Sequence, residues 1–167
     1  AQWHAVAREV PPAEEEPDPK LLLGLLWASL HSGDLEDAGR HLAEIERLVR
    51  KGTVVDVDSV GLARIFLAQA RGDVDAAMGH ADAFLPQIGE EERLVRGKVK
   101  TLKGLAHWRL GELEKALTCF EGFDADMRAL GNLRERLSAT HVAVKLYREQ
   151  GRLPAARRLI DETIRTI

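Results

Sequence analysis

The chain is poor in the residues that build disulfides and extensive aromatic cores. Of its 167 residues only one is cysteine and 5 % are aromatic. The lone Cys119 excludes an internal disulfide, so we expect a reducing compartment, the cytoplasm. Because position 1 is Ala and the first apolar segment is too short to bury its own face, we also expect the chain to be part of a longer polypeptide.

Long apolar runs are absent as well. The longest apolar candidate, LLLGLLWASL at 21–30, has half the ~20 residues that a membrane crossing requires. It therefore predicts a buried helix, and we expect no membrane partner. With 45 % apolar and 31 % charged residues, the composition is that of an ordinary helical globular protein.

Patterns that carry catalysis or metal binding are also missing. The sequence has no HExxH, GxSxG or CxxC, and its six histidines form no i, i+4 pair. Gly97 and Lys98 are followed by Val99 instead of the Ser or Thr of a phosphate-binding loop. Asp56 and Asp58 lack the later ligands of a calcium loop, so a helix N-cap is the better interpretation of this acidic pair. We predict no catalytic centre, cofactor or metal.

One short phrase occurs four times. It reads SGDLEDA at 32–38, RGDVDAA at 71–77, LGELEKA at 110–116 and QGRLPAA at 150–156, so its glycines stand 39, 39 and 40 residues apart. A period of this length indicates a solenoid. We call these glycines the corner glycines, because each would end one helix in a left-handed conformation just before the next begins. They are Gly33, Gly72, Gly111 and Gly151.

Two further features accompany the corner glycines. An acidic residue follows three of them, where it favours the positive end of the next helix: Asp34, Asp73 and Glu112. An alanine stands five residues after each glycine, which predicts that the two helices of a pair cross too closely for a larger side chain. These alanines are Ala38, Ala77, Ala116 and Ala156. Helix propensity alone is the competing explanation.

The fold predicted is all-α, a right-handed superhelical solenoid of antiparallel helix pairs with repeats of about 39 residues. A short N-terminal helix and an acidic loop occupy 1–19. The helix pairs lie at 20–52, 57–90, 93–131 and 133–167, within one domain that spans 1–167. The individual helices are expected at roughly 19–32, 35–50, 57–71, 74–86, 93–110, 112–130, 133–150 and 153–166.

The repeat resembles a known family. Gly104 lies seven residues before its corner glycine, Phe120 nine after it, and Tyr147 four before the next corner, as in tetratricopeptide repeats. The opening QWHAVAREVP, the segment PKLLLGLLWASLHSGDLEDAGRHLAEIE and the segment GNLRERLSATHVAVKLYREQGRLPAARRLIDETI resemble the sensor domain of MalT-like regulators, the large ATP-dependent LuxR-type transcription activators. This resemblance implies an ATP-binding switch module and a helix-turn-helix elsewhere in the polypeptide.

The resemblance also implies a binding surface. In tetratricopeptide arrays the first helix of each pair lines a concave groove, and here those positions carry aromatic and basic side chains that suit a sugar ring, a peptide or another helix. In the competing interpretation the aromatic rings only pack between repeats. The predicted binding residues are Trp27, Phe66, Gln69, Lys98, Trp108, Arg109, Lys145 and Arg148.

Charge is unevenly distributed. Residues 1–19 have one Arg against five acids, a net charge of −4, whereas residues 128–167 have nine Lys and Arg against four acids, a net charge of +5. Nucleic acid is an unsuitable partner, because the whole chain carries −3 and because Arg157 and Arg158 stand four residues before Asp161 and Glu162, a spacing that favours ion pairs along a helix. Contacts with neighbouring domains fit the asymmetry equally well.

Two functions are consistent with these features. The first is a regulatory sensor that binds an inducer or a partner protein in its groove and signals to a switch ATPase. The alternative is a protein-interaction scaffold with no small-molecule ligand.

Overall fold

The computed structural model describes residues 17–165, which form eight α-helices and no strand. The helix bounds are Pro19–Ser32 (α1), Leu35–Arg50 (α2), Val57–Ala70 (α3), Val74–Phe84 (α4), Arg93–Arg109 (α5), Leu113–Ala129 (α6), Leu133–Glu149 (α7) and Leu153–Ile164 (α8). A short 3-10 turn, Leu85–Gln87, follows α4. The helix expected around Trp3 and Val6, and the loop up to residue 16, lie outside the described residues.

The helices are stacked as pairs. Each odd-numbered helix packs on the even-numbered helix after it, α1 packs on α3, and α3 packs on α5. The second helix of a pair also contacts the first helix of the next pair, at α2 with α3, α4 with α5, and α6 with α7. This arrangement confirms the prediction of an all-α helical-repeat solenoid.

The core follows the stacking and has no single centre. One buried cluster joins α1, α2 and α3, a second joins α3, α4 and α5, and a third joins α6 to α7. Each cluster draws apolar residues from two successive pairs. Every pair therefore depends on its neighbour to bury its apolar face.

The corner glycines have the conformation that the sequence predicts. Their φ angles lie between 70° and 81°, in the left-handed region that glycine tolerates best. At the first two corners the following acid caps the next helix: Asp34 accepts the backbone N–H of Asp37 at 3.0 Å, and Asp73 accepts that of Ala76 at 2.9 Å. Glu112, at the third corner, makes no such bond.

The four repeat alanines are buried, with 0, 1, 0 and 5 % of their surface exposed in chain order. Neighbouring atoms enclose the methyl group at each of these positions, as the close crossing of two helices requires. Helix propensity alone would not require burial at all four positions.

The one notable difference in helix length is at α4. It ends at Phe84 instead of the expected residue 86, and the chain continues as the 3-10 turn. Pro86 lies within that turn; it has no backbone N–H to donate, so an α-helix cannot continue through it without losing a hydrogen bond.

Candidate binding groove

A pocket of about 480 Å³ opens between the first helices of the first three pairs. α1, α3 and α5 supply most of its wall, and α6 and α7 each add one residue. The lining residues are Trp27, His31, Ser59, Leu62, Phe66, Lys98, Thr101, Leu102, Phe123 and Glu135. Of the residues predicted from the sequence, Trp27, Phe66 and Lys98 meet here.

Three rings from two helices form one side of the pocket. The Trp27 and Phe66 rings meet edge to face, with centroids 6.2 Å apart and planes at 64°. The His31 ring stacks on Phe66 at 6.3 Å. His31 Nδ1 donates a hydrogen bond to the Trp27 carbonyl at 2.7 Å, which fixes the orientation of this ring. Trp27 and Phe66 are both half-buried, so the aromatic surface is fixed in position and still accessible.

Phe123 reaches the pocket from a second helix because Gly97 has no side chain. A Cβ atom at Gly97 would lie 2.7 Å from the Phe123 ring, closer than packed carbon atoms allow. The groove pattern of the sequence did not include Phe123, because it considers first helices alone. The sequence did contain a sign of this close approach. Position 97 is Gly, whereas the equivalent positions of the other three repeats carry a side chain: Pro19, Asp58 and Leu137.

The polar side chains of the pocket divide into two groups. The Ser59 hydroxyl donates to Asp56 at 2.6 Å and the Thr101 hydroxyl donates to the Gly97 carbonyl at 3.1 Å, so both serve their own helices. Lys98 and Glu135 form no ion pair with any residue in 17–165. One cation and one carboxylate are therefore available for an occupant of an otherwise largely apolar pocket.

Trp108 belongs to a different cluster. Its indole Nε1 donates to Glu149 at 2.6 Å, and Lys145 Nζ lies 5.5 Å from the ring centroid. These contacts join α5 to α7, and the half-buried indole packs against the third core cluster. Trp108 and Lys145 do not line the pocket, and their interacting groups already have partners within the chain.

Gln69 and Arg109 connect repeats. Gln69 is 6 % exposed, and its side-chain amide donates to the carbonyl of Leu102. Arg109 donates to the Gln69 carbonyl at 2.6 Å. Both bonds join α3 to α5. The eight predicted residues thus separate into a pocket group, the Trp108 cluster and this inter-repeat pair, with Arg148 exposed outside the pocket.

A second cavity, of about 310 Å³, lies between α6, α7 and α8. Its polar groups largely serve one another: the Tyr147 hydroxyl donates to Glu121 at 2.8 Å, and Arg152 lies 5.0 Å from the Tyr147 ring centroid. Burial and the bond to Glu121 raise the pKa of Tyr147, so the phenol stays protonated. These contacts tie the last three helices together.

The described part of the chain was compared with what a metal site or a reactive thiol would need. Within residues 17–165 no three His, Cys, Asp or Glu side chains lie close enough together to hold a metal ion. Burial raises the pKa of the Cys119 thiol, which keeps it in the unreactive protonated form. None of the helices in the same range has the length and apolar character needed to cross a bilayer.

Two segments, residues 100–121 and 137–162, match the family model of the tetratricopeptide repeat. They fall in the third and fourth helix pairs, where Gly104, Phe120 and Tyr147 occur. Comparison with curated proteins and with solved structures found no match. The family match supports a tetratricopeptide-repeat domain, which is typically a non-catalytic module for protein–protein interaction.

Proposed function

We propose that this chain binds a segment of a partner protein in the pocket between α1, α3 and α5. The observation that carries the proposal is that three successive first helices bring Trp27, Phe66 and Lys98 to one largely apolar pocket. Binding energy at protein interfaces concentrates where a side chain enters a well-packed apolar pocket surrounded by polar groups. The pocket offers such a place.

The residues that line the pocket indicate which side chains the partner segment should carry. An apolar or aromatic side chain fits against Trp27 and Phe66, because ring contacts and burial both favour it. An acidic group beside that anchor would pair with Lys98, and a basic group on the α7 side would pair with Glu135. The proposed partner segment therefore carries an apolar anchor between charges of opposite sign.

Selection from a displayed library of random short peptides tests this proposal. We expect the selected peptides to combine an apolar anchor with an acidic residue. Phe66→Ala and Lys98→Glu should each weaken the binding of a selected peptide by about tenfold or more, which corresponds to roughly 1.4 kcal/mol. Lys115→Glu, on α6 and outside the pocket, is the charge-matched control and should leave binding unchanged. Equal weakening by the control, or full affinity in both pocket variants, would refute the proposal.

A small-molecule inducer is the second candidate occupant. The pocket volume of about 480 Å³ falls within the range typical of small-ligand sites. We propose that, in this case, the chain is the sensor of a LuxR-type transcription regulator and signals occupancy to a switch ATPase. The support is the resemblance of residues 19–46 and 131–164 to the MalT-like sensor domain.

The reading frame that encodes this chain tests the regulator proposal. A phosphate-binding loop encoded upstream and a helix-turn-helix encoded downstream are expected. If the complete frame encodes neither, the regulator proposal is wrong, and the interaction scaffold is the function that remains.

A further inference from the structure

A long basic side chain connects a first helix to the second helix before it at two places in the solenoid. From the second pair onwards, each first helix packs against the second helix of its own pair and that of the preceding pair. Arg64 of α3 pairs with Glu46 of α2 at 2.7 Å, and Lys103 of α5 pairs with Asp82 of α4 at 2.6 Å. Both basic residues stand eight positions before their corner glycine, so this contact belongs to the repeat.

The fourth pair lacks this basic side chain. The equivalent residue of α7 is Ala143, which is 4 % exposed. It lines the cavity of about 310 Å³ between α6, α7 and α8, next to the small side chains of Ala139 and Thr140. The cavity that Arg64 lines between α2, α3 and α4 is smaller, about 180 Å³. The space that a long basic side chain takes up beside α2 and α4 is therefore open beside α6.

The carboxylate that such a side chain would meet is still present. Glu121 of α6 stands ten residues after its corner glycine, as Asp82 of α4 does after its own. Asp82 is paired with a lysine, whereas Glu121 lines the cavity and accepts a hydrogen bond from the uncharged Tyr147 hydroxyl at 2.8 Å. Glu162 of α8 also lines the cavity and forms no ion pair with any residue in 17–165. Two carboxylates thus face the cavity without a cation from the described part of the chain.

The arginines around the cavity leave these two carboxylates unpaired. Arg128 pairs with Asp124 at 2.9 Å, and Arg152 pairs with Glu114, outside the cavity, at 3.4 Å. Arg158 lines the cavity and has no ion pair within residues 17–165. Arg158 could attract an anion, so an anion is the competing ligand.

We propose that this cavity binds an alkylammonium group, with the ammonium at Glu121 and the alkyl chain along Ala143 and Leu159. A ligand of this kind would take the place that the Lys103 side chain occupies one repeat earlier. Its ammonium would form a charge-assisted hydrogen bond with the carboxylate, which is stronger than the bond from a neutral hydroxyl. The same group is carried by small free amines and by the lysine side chains of proteins.

The sole tyrosine of the sequence, Tyr147, lines this cavity and reports its occupancy. In the full chain labelled with carbon-13 at tyrosine, titration with pentylamine at constant ionic strength should shift the ring signals of Tyr147 until they saturate. Titration with pentanoate, which has the opposite charge and a similar length, should leave them in place. No response to pentylamine, or a response to pentanoate that is equal or stronger, would overturn the proposal.

A short peptide with capped ends and a central lysine separates the two sources of the ammonium group. If it binds as tightly as pentylamine, the ligand is a lysine side chain of a protein. Weaker binding identifies a free amine. Either result supports the proposal, because both ligands carry the same group.

Two variants alter the site in different ways. Glu121→Gln keeps an oxygen for the bond from Tyr147 and removes the charge, so the affinity for pentylamine should fall by about fivefold, as for a partly exposed ion pair. Ala143→Lys should place its own ammonium beside Glu121 and abolish the response to pentylamine. Asp161→Asn, on α8 and outside the cavity, is the charge-matched control and should bind as wild type does.

Circular dichroism establishes that each variant is folded. If Ala143→Lys does not fold, Glu121→Gln decides, because Glu121 is an exposed residue and the change conserves its shape. Unchanged affinity in Glu121→Gln, or an equal loss in Asp161→Asn, would overturn the proposal. None of these residues lines the pocket between α1, α3 and α5, so the outcome is independent of peptide binding there.

Discussion

Trp27 and Phe66 of the first two helix pairs and Trp108 of the third pair use their rings in opposite ways. Trp27 and Phe66 lie against an open pocket, and their ring contacts are with each other and with His31. Trp108 is covered by Lys145 and bonded to Glu149, so its interactions are satisfied within the chain. Aromatic residues on first helices therefore do not by themselves mark a binding site. Whether such a ring is accessible to a partner depends on the neighbouring helix, which either leaves the ring open or supplies its contacts.

The helix starts at the corners differ between the halves as well. α2 and α4 begin with an Asp whose carboxylate caps the helix, whereas the starts of α6 and α8 have no side-chain cap. Both halves also have ion pairs between helices: Arg64 pairs with Glu46 at 2.7 Å in the first half, and Lys100 pairs with Asp126 at 2.5 Å in the second. The two halves therefore differ in how the second helix of each pair begins, and not in whether ion pairs join their helices.

The largest expected effect contrasts a core ring with a pocket ring. Phe120→Ala should lower the free energy of unfolding by about 3–5 kcal/mol, because its ring is 1 % exposed and its loss leaves a cavity. Phe66→Ala should cost less, about 1–2 kcal/mol, because the ring is only half-buried. Urea unfolding followed by circular dichroism measures both. Equal losses would mean that Phe66 is as much a core residue as Phe120.

A second prediction concerns the buried repeat alanine, which the two halves share. Ala38→Leu and Ala116→Leu should each cost about 1–3 kcal/mol, because both alanines are fully buried and a larger side chain overpacks the crossing. The same unfolding measurement applies. If one of the two substitutions is tolerated without loss, the crossings of the two halves are not equivalent, and the repeat alanine is not a packing requirement.

The third prediction compares the residues that precede α4 and α6 by the stability lost when each is replaced by alanine. Asp73→Ala should cost about 1 kcal/mol, since its carboxylate caps α4. Glu112→Ala should cost less, because its carboxylate contacts only His107 and Lys115 near the surface. Thermal melts of the two variants beside wild type give the comparison. A larger loss for Glu112→Ala would show that its side-chain pairs matter more than a cap.

The smallest effect is a pH dependence at the start of α3. The bonds from the Ser59 side chain and backbone lower the pKa of Asp56 below its ordinary value near 3.8. The ionised carboxylate therefore stabilises the fold above that value, and this contribution disappears as the pH falls through the lower pKa of the folded state. Asp56→Asn keeps a capping side chain without a titrating group. The stability difference between wild type and variant should shrink on acidification; a constant difference would contradict the assignment.

Much of the fold was predictable, because the same glycine and alanine positions recur in each repeat. The corner glycines and the buried alanines predict where the helices turn and cross, and both predictions are confirmed by the positive φ angles and the burial. Repeat periodicity could not predict which side chains find partners across repeats. Gln69 occupies a groove position in the sequence, but its amide bonds to the Leu102 carbonyl, a contact that depends on how α3 and α5 pack. Phe123 enters the pocket for the same kind of reason, through the space above Gly97.

The indole N–H signals of the tryptophans test the central claim most directly. In a chain labelled with nitrogen-15 at tryptophan, single Trp→Phe variants assign each signal. Titration with a selected peptide should then shift the Trp27 signal and leave the Trp108 signal, whose N–H is held by Glu149, in place. A peptide that shifts Trp108 and not Trp27 would contradict the account, because it would place the binding site at the cluster of Trp108, Lys145 and Glu149 instead of at the pocket.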